Sequence, residues 1–419
     1  MLYEDLIYLW LSFLIFEFFP NVKLVTGFPC LIGLLLKDAF FLWFLFKLRG
    51  KLRFLPSVLT EGIPLLLYTF DLWFFSLKHY FSIFPLSSLI GLLWFLHYYL
   101  LLRVVVYRMS KNYIKLLGGF ILPIVLVVLC EAVFDYFKVS SPFVEWGLLL
   151  TLFLIAPAIM IKVFPLKPLE DPYWLELVRN FLARTNTPVR GIYLLENLSR
   201  RLYTAGIVGF LPGVRYLFFS EPLLEVLTPE EVLGVLGHEV GHIKRRHAIW
   251  LLVLLINLPL FLLAVLLLFL FGFSVIFPNL AKVLLKPGPG FQTASAVYFI
   301  LLSFLYIRYV FAYFLRQFER EADVFSFSLL GNVQPIVSAL YKIGELSGQL
   351  YKKSWHHYGV LERIEFLLSL KDPFKYLKEK GKKLRIYIVL WLLLDSGILW
   401  LLSSETILKK VYQLVTYIL

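Results

Sequence analysis

Charge is scarce in this chain. Only 16% of its 419 residues are Asp, Glu, Lys or Arg, where a soluble globular protein carries about a quarter. Cysteine is nearly absent: Cys30 and Cys130 are the only two, each inside an apolar run. Two thiols without a short secreted pattern exclude a disulfide framework. Acidic residues are the minority, 28 against 41 Lys and Arg, for a net charge of +13. What the chain has in excess is apolar surface, with 60% hydrophobic residues and a mean hydropathy of +0.80. A soluble fold could not hide that much, so a disordered chain, a coiled coil and a nucleic-acid binder are poor fits. The positive excess suits anionic lipid better than nucleic acid. These proportions describe a polytopic membrane protein.

A helix needs about 20 mainly apolar residues to cross a bilayer. Nine segments come close: Leu2–Phe19, Phe28–Phe46, Phe54–Leu77, Phe81–Leu102, Leu116–Phe134, Trp146–Phe164, Ile249–Phe277, Ala294–Phe314 and Ile386–Leu402. The first and last are short enough to lie in the interface instead. Leu2–Phe19 has neither a basic start nor a small-residue cleavage site, so it does not read as a signal peptide. Lys47, Arg49, Lys51 and Arg53 follow the second segment, and Arg103, Arg108, Lys111 and Lys115 follow the fourth. Loops on the opposite side carry few cations. The positive-inside rule then puts the amino terminus, and the two long polar stretches Pro165–His247 and Arg316–Lys383, on the cytoplasmic side of a plasma or inner membrane.

Those polar stretches must hold the structure outside the bilayer. Gly191–Glu196, Leu202–Val208 and Arg215–Phe219 read as short strands of a small sheet. A helix follows: Thr228 suits the N-cap, Pro229 the first helical position, and Glu231 completes a capping box. The pattern carries this helix on into the seventh span. The second stretch opens with a helix from about Arg316 to Leu330, which Gly331 can end.

The first helix contains His238-Glu239-Val240-Gly241-His242. Residues at i and i+4 sit one above the other, so both imidazoles can bind one ion. Glu239 follows the first ligand and can aim at the metal's water without binding the metal, the arrangement of zinc hydrolases. The competing reading is a polar helix face crowded with His, Glu and Lys. A catalytic zinc site needs a third protein ligand and an open fourth position. Glu319-Arg320-Glu321-Ala322-Asp323 on the second helix supplies it. Glu319 can bind the ion, and Asp323, on the same face, can accept the Nδ1 proton of a ligand histidine. Taken alone, this acidic face would read as a solvated one paired with Arg316 and Arg320. Glu321 points elsewhere and reads as a salt-bridge residue.

These motifs, with two spans between them, resemble the membrane gluzincins: the CAAX prenyl proteases and the heat-shock protease HtpX. His357-Tyr358-Gly359-Val360-Leu361-Glu362-Arg363-Ile364 is similar to the family's His-Pro-x-x-x-x-Arg-Ile/Leu element, with Tyr358 in place of Pro. Leu202–Leu224 resembles the family's edge strand and following helix, although Arg201 falls near the position of its usual Asn. The resemblance covers roughly Pro165 to Leu368.

The apolar segments give a mostly α polytopic membrane protein with about 7–9 transmembrane helices; the resemblance adds the catalytic domain. A small α+β zincin-like catalytic domain would be split by a transmembrane hairpin. The expected organisation is a transmembrane bundle over 1–164, catalytic parts over 165–247 and 316–384, the hairpin over 248–315, and a spanning or interfacial helix over 385–419. The implied activity is that of a zinc metalloendopeptidase acting on membrane proteins or membrane-attached peptides. One Zn2+ per chain would be held by His238, His242 and Glu319, with Glu239 as base and Asp323 behind a ligand. Arg363 and His357 are candidate donors to the oxyanion; for Arg363 the alternative is a pair with Glu362 or Asp323. A transporter, or a metal-binding scaffold without proteolysis, are the other classes; retention of Glu239 argues against the scaffold.

Several further residues stand out. Lys37, Asp38, Glu61, Asp71, Glu131, Asp135 and Asp395 lie in or near apolar runs, where they line a wet chamber, sit at interfaces or pair with each other. Lys244, Arg245 and Arg246 read as an inner-leaflet anchor, and His247 as interfacial.

Overall fold

The computed structural model describes residues 8–402 except 10, 14, 17–18, 20, 22, 53–56, 85, 108–109, 139–140, 197–201, 210, 285–288 and 353–357. Along the chain come α1 (Phe28–Leu52), α2 (Ser57–Trp73), α3 (Leu77–Phe81), α4 (Ser87–Val105), α5 (Lys111–Tyr136) and α6 (Pro142–Val163). Next are β1 (Leu166–Pro168), α7 (Pro172–Arg184), β2 (Gly191–Leu195), β3 (Ala205–Val208), β4 (Tyr216–Ser220), α8 (Glu221–Val226), α9 (Pro229–Lys244) and α10 (His247–Ile276). The rest comprises α11 (Pro278–Leu284), α12 (Pro289–Leu305), a π-helical turn (Tyr306–Phe311), α13 (Ala312–Leu330), α14 (Gln334–Leu346), α15 (Val360–Ser369) and α16 (Pro373–Leu402).

Six helices among the described residues are long and apolar enough to span: Phe28–Leu52, Ser87–Val105, Lys111–Cys130, His247–Ile276, Val297–Leu330 and Pro373–Leu401. The third expected segment forms α2, only 17 residues long with Pro64 inside. At 1.5 Å per residue it rises about 26 Å, short of a hydrocarbon core of about 30 Å. The sixth gives a shorter apolar stretch, Leu154–Val163. The first falls largely outside the described residues.

The chain divides into two compact units. Among the described residues, one is built from those up to Leu152 together with Ile276–Phe304, and the other from Phe153–Val275 and 305–402. The first unit packs α1, α2 and α4 around Leu45, Tyr68, Leu72, Phe95, Tyr99 and Leu102, all fully buried. Three of its apolar-run ions pair with one another. The Lys37 ammonium bonds Asp71 and Tyr98 and lies 3.2 Å from Asp38 Oδ1. The Tyr98 hydroxyl lies 2.7 Å from Asp38 Oδ1 and 2.6 Å from Asp71 Oδ2. Trp94 Nε1 donates to Asp71 at 2.9 Å.

The second unit holds a four-stranded sheet in the order β1-β2-β4-β3. β2 and β4 run parallel, from Gly191 opposite Tyr216 to Leu195 opposite Ser220; β1 and β3 are antiparallel edges. Leu217 and Phe219 on β4 pack with Val178 of α7, Leu223 of α8 and Val232, Leu236 and Val240 of α9. This shared core fixes α9 against the sheet. The α9 start is as its sequence dictates: Thr228 accepts from the Glu231 backbone N–H, and the Glu231 side chain accepts from the Thr228 N–H. Ser338 and Lys342 of α14 also bond the Glu231 carboxylate.

The expected continuation of α9 into the spanning helix is corrected by the structure. α9 stops at Lys244, and Arg246 takes a left-handed φ of +57° before α10 begins at His247. A non-glycine residue there costs roughly 1–2 kcal/mol. The freed Arg245 carbonyl is met by Arg385 Nη2 of α16 at 2.9 Å, so a tertiary contact sustains the break.

Candidate metal centre

α9 and α13 cross closely because α9 presents glycine along one face. A Cβ at Gly237 would lie 2.6 Å from Ser326 Oγ and 3.1 Å from its Cα; one at Gly241 would lie 3.1 Å from Ala322 Cα. Ser326 Oγ donates to the Gly234 carbonyl at 2.7 Å. Backbones this close bring the polar face of α13 directly against the two histidines. Gly331, at φ +66°, then ends α13.

Three donor atoms converge there. His238 Nε2 and His242 Nε2 are 3.1 Å apart; Glu319 Oε2 lies 3.7 Å from the first and Oε1 3.5 Å from the second. Zinc bonds of about 2.0–2.1 Å at tetrahedral angles would set ligand atoms about 3.3–3.4 Å apart. The observed spacings bracket that value. His238 Nδ1 is 2.8 Å from Asp323 Oδ1. Since that carboxylate can only accept, the ring proton sits on Nδ1 and the Nε2 lone pair faces inward. Two imidazole nitrogens and a carboxylate aimed at one point are a donor set for a cation, and among the described residues these are the group of this kind.

Burial disfavours charge on His238, but the hydrogen bond and charge of Asp323 outweigh it and raise its pKa. Burial, reinforced by His238, holds His242 down at about 3, in the neutral form that binds metal. Glu239 sits between the ligands in sequence and is partly buried. Its carboxylate accepts from the Ile207 N–H of edge strand β3 at 3.2 Å. Burial pushes its pKa up to about 7, although His238 and the Ile207 amide favour the charged form. A carboxyl balanced near neutrality can both take and return a proton.

Arg363 of α15 stands behind the ligands. Its Nε donates to Asp323 Oδ2 at 2.7 Å and its Nη2 to Oδ1 at 2.6 Å, while Nη1 is 3.8 Å from Glu319 Oε2. Burial works against its charge, but Asp323 outweighs it and raises the pKa. The Asp323 partnership weighed for Arg363 is thus the one present. His357, like Arg201, lies outside the described residues. Tyr358 takes a hydrogen bond from Gln317, and the Arg320 guanidinium stacks 3.8 Å from its ring centroid. Arg320 also pairs with Glu362 at 3.2 Å.

Two residues have a closer place than the sequence suggested. His247, expected at the interface, is only 1% exposed, with Nδ1 3.0 Å from His242 Nδ1. Glu321 does form salt bridges, with Arg245 and Arg385, but also meets His247 Nε2 at 3.1 Å. Arg245 therefore turns inward rather than serving only as a lipid anchor. No local pattern marks this pairing, since 74 residues separate His247 from Glu321. The one available signal was a further histidine five positions after His242.

Residues 168–371 match Peptidase family M48. A protease HtpX homolog from Acidovorax ebreus is 26% identical over 208 residues, 49% of this chain and 69% of that protein. A CAAX prenyl protease 1 homolog from Oryza sativa subsp. japonica is 23% identical over 244 residues, 54% of this chain; the match spans 55% of the rice protein's length. Among solved structures, S. mikatae Ste24p aligns over 87% of this chain and 98% of its own, at 16% identity and a TM-score of 0.46. Neither a transporter nor a non-proteolytic scaffold gains support from these matches.

Proposed function

We propose that this chain is a multi-pass membrane metallopeptidase of the M48 kind, with the reaction and residue roles that follow. The resident ion is one zinc per chain, held by His238, His242 and Glu319. When bound, zinc supplies Lewis-acid chemistry, polarising a peptide carbonyl and making water acidic near neutral pH. Glu239 takes the proton from the attacking water and delivers it to the leaving amine nitrogen. The Ile207 N–H holds the Glu239 carboxylate in place for both transfers. Asp323 fixes the His238 tautomer. Arg363 positions Asp323 rather than touching the substrate, because its fork is already engaged there. His357 is the remaining candidate donor to the oxyanion. Substrates are membrane proteins or membrane-attached peptides, cleaved at the cytoplasmic surface.

The observation that carries this reading is the convergence of three donor atoms, two imidazole nitrogens and a carboxylate oxygen, on one point. Elemental analysis of purified full-length protein is its test. Wild type and Glu239→Gln should each hold close to one zinc, and His238→Ala should hold far less. Glu239→Gln should nevertheless lose cleavage. Equal zinc in His238→Ala would sink the ligand assignment.

A further inference from the structure

The two zinc-facing histidines are held differently. His238 has a carboxylate directly behind it, at Asp323. His242 has another imidazole, His247, and the carboxylate lies one step further back, at Glu321. The surroundings of that second pair are built to fix it. The His247 ring is stacked on Phe318, with centroids 4.6 Å apart and planes 12° from parallel. Glu321 is 1% exposed; it takes hydrogen bonds from Arg245 Nε and from Arg385 Nη1. Arg245 Nη2 is itself tied to the Leu377 carbonyl at 2.9 Å. Gly381 of α16 leaves room for the cluster, since a Cβ there would overlap the Arg245 guanidinium and the Glu321 carboxylate.

The hydrogen-bond directions follow in order. Two guanidiniums favour an ionised Glu321, which can only accept, so His247 carries its proton on Nε2. The same two cations oppose a third charge on His247, leaving its Nδ1 with a lone pair. At 3.0 Å that lone pair needs a donor, and the facing atom is His242 Nδ1. A proton there leaves His242 Nε2 bare, pointing at His238 Nε2 and Glu319. The opposite tautomer would set an N–H where the ion belongs.

We infer that Glu321 and His247 form a two-step hydrogen-bond relay that fixes the ring plane and metal-accepting tautomer of His242. Both are positioning residues for the zinc site, and the inference rests on the zinc reading above. The two ligand histidines are thus oriented by separate carboxylates on α13, one direct and one through an imidazole.

Two substitutions separate this role from a merely structural one. Asn carries its amide oxygen at the place of the histidine Nδ1, so His247→Asn keeps an acceptor for His242 but loses Glu321. Gln reaches the Nε2 position instead, so His247→Gln keeps the bond to Glu321 and loses the acceptor. Zinc affinity of the full-length protein in detergent is measured by chelator competition. His247→Gln should bind zinc about 10–100-fold more weakly than wild type, the range for a lost orienting partner. His247→Asn should fall between the two. If Gln binds as tightly as Asn, or more tightly, the relay is overturned and His247 serves only to anchor Glu321. Histidine-15N spectra of metal-stripped wild type give a second readout that depends on no variant folding. One Nδ1–H···Nδ1 hydrogen bond between two imidazoles is expected; its absence overturns the relay. Wild type that holds no zinc at all would instead defeat the metal assignment itself.

Discussion

Asp323 accepts from His238 on one side and from the Arg363 fork on the other, while only 1% exposed. An ionised carboxylate so deeply placed depends on both partners, and removing one from a buried pair commonly costs about 3–5 kcal/mol. Arg363→Ala should therefore lower zinc affinity as well as turnover, because the His238 orientation loosens with Asp323. Arg363→Lys should recover little of it, since a single ammonium cannot reproduce the two parallel bonds. Chelator competition on both variants checks this. Full zinc affinity with lost turnover would restore Arg363 as a direct donor to the substrate. At this scale the sequence was legible where the convergence of side chains follows helical spacing. His238 and His242, and Glu319 and Asp323, are each four apart and share a face. It was not legible for His247 and Glu321, whose meeting depends on how α10, α13 and α16 pack.

Among the elements, α9 and α13 carry the site and their crossing decides its geometry. Gly237 and Gly241 allow the approach, and no side chain could replace them without moving α13. Gly237→Ala places a methyl 2.6 Å from Ser326 Oγ, and overpacking of this kind costs about 1–3 kcal/mol. A lowered unfolding temperature and a reduced zinc content are expected together. Gly213→Ala, where a Cβ would meet nothing within 4 Å, is the control and should change neither. The α9 start and the α13 end were readable from Thr228, Glu231 and Gly331, since caps are local chemistry. β2, β3 and β4 also fall near their expected places. β1 escaped notice because three residues, Leu166–Pro168, are too few to show an alternation. The break at Arg246 escaped because the group that satisfies the freed Arg245 carbonyl, Arg385, is 140 residues away from it.

For the whole molecule, hydropathy alone marked the apolar helices but not the stretch that matches the M48 family, residues 168–371, because that stretch itself contains two of the six candidate spans. Within that stretch sit both metal-facing helices and α10, the most apolar of the six candidate spans. The first unit carries no motif of its own; for its apolar-run ions the sequence left a wet chamber, an interface and mutual pairing open, and Lys37 with Asp71 takes the last. Joining apolar spans to a peptidase centre makes one central claim: this chain cleaves proteins held in or at the membrane. Identification of newly formed protein amino termini in membranes carrying wild type, against membranes carrying Glu239→Gln at equal abundance, tests it most directly. The expected result is a set of new termini from membrane-associated proteins in the wild type alone. Identical termini in the two membranes, with zinc bound in both, would contradict the account.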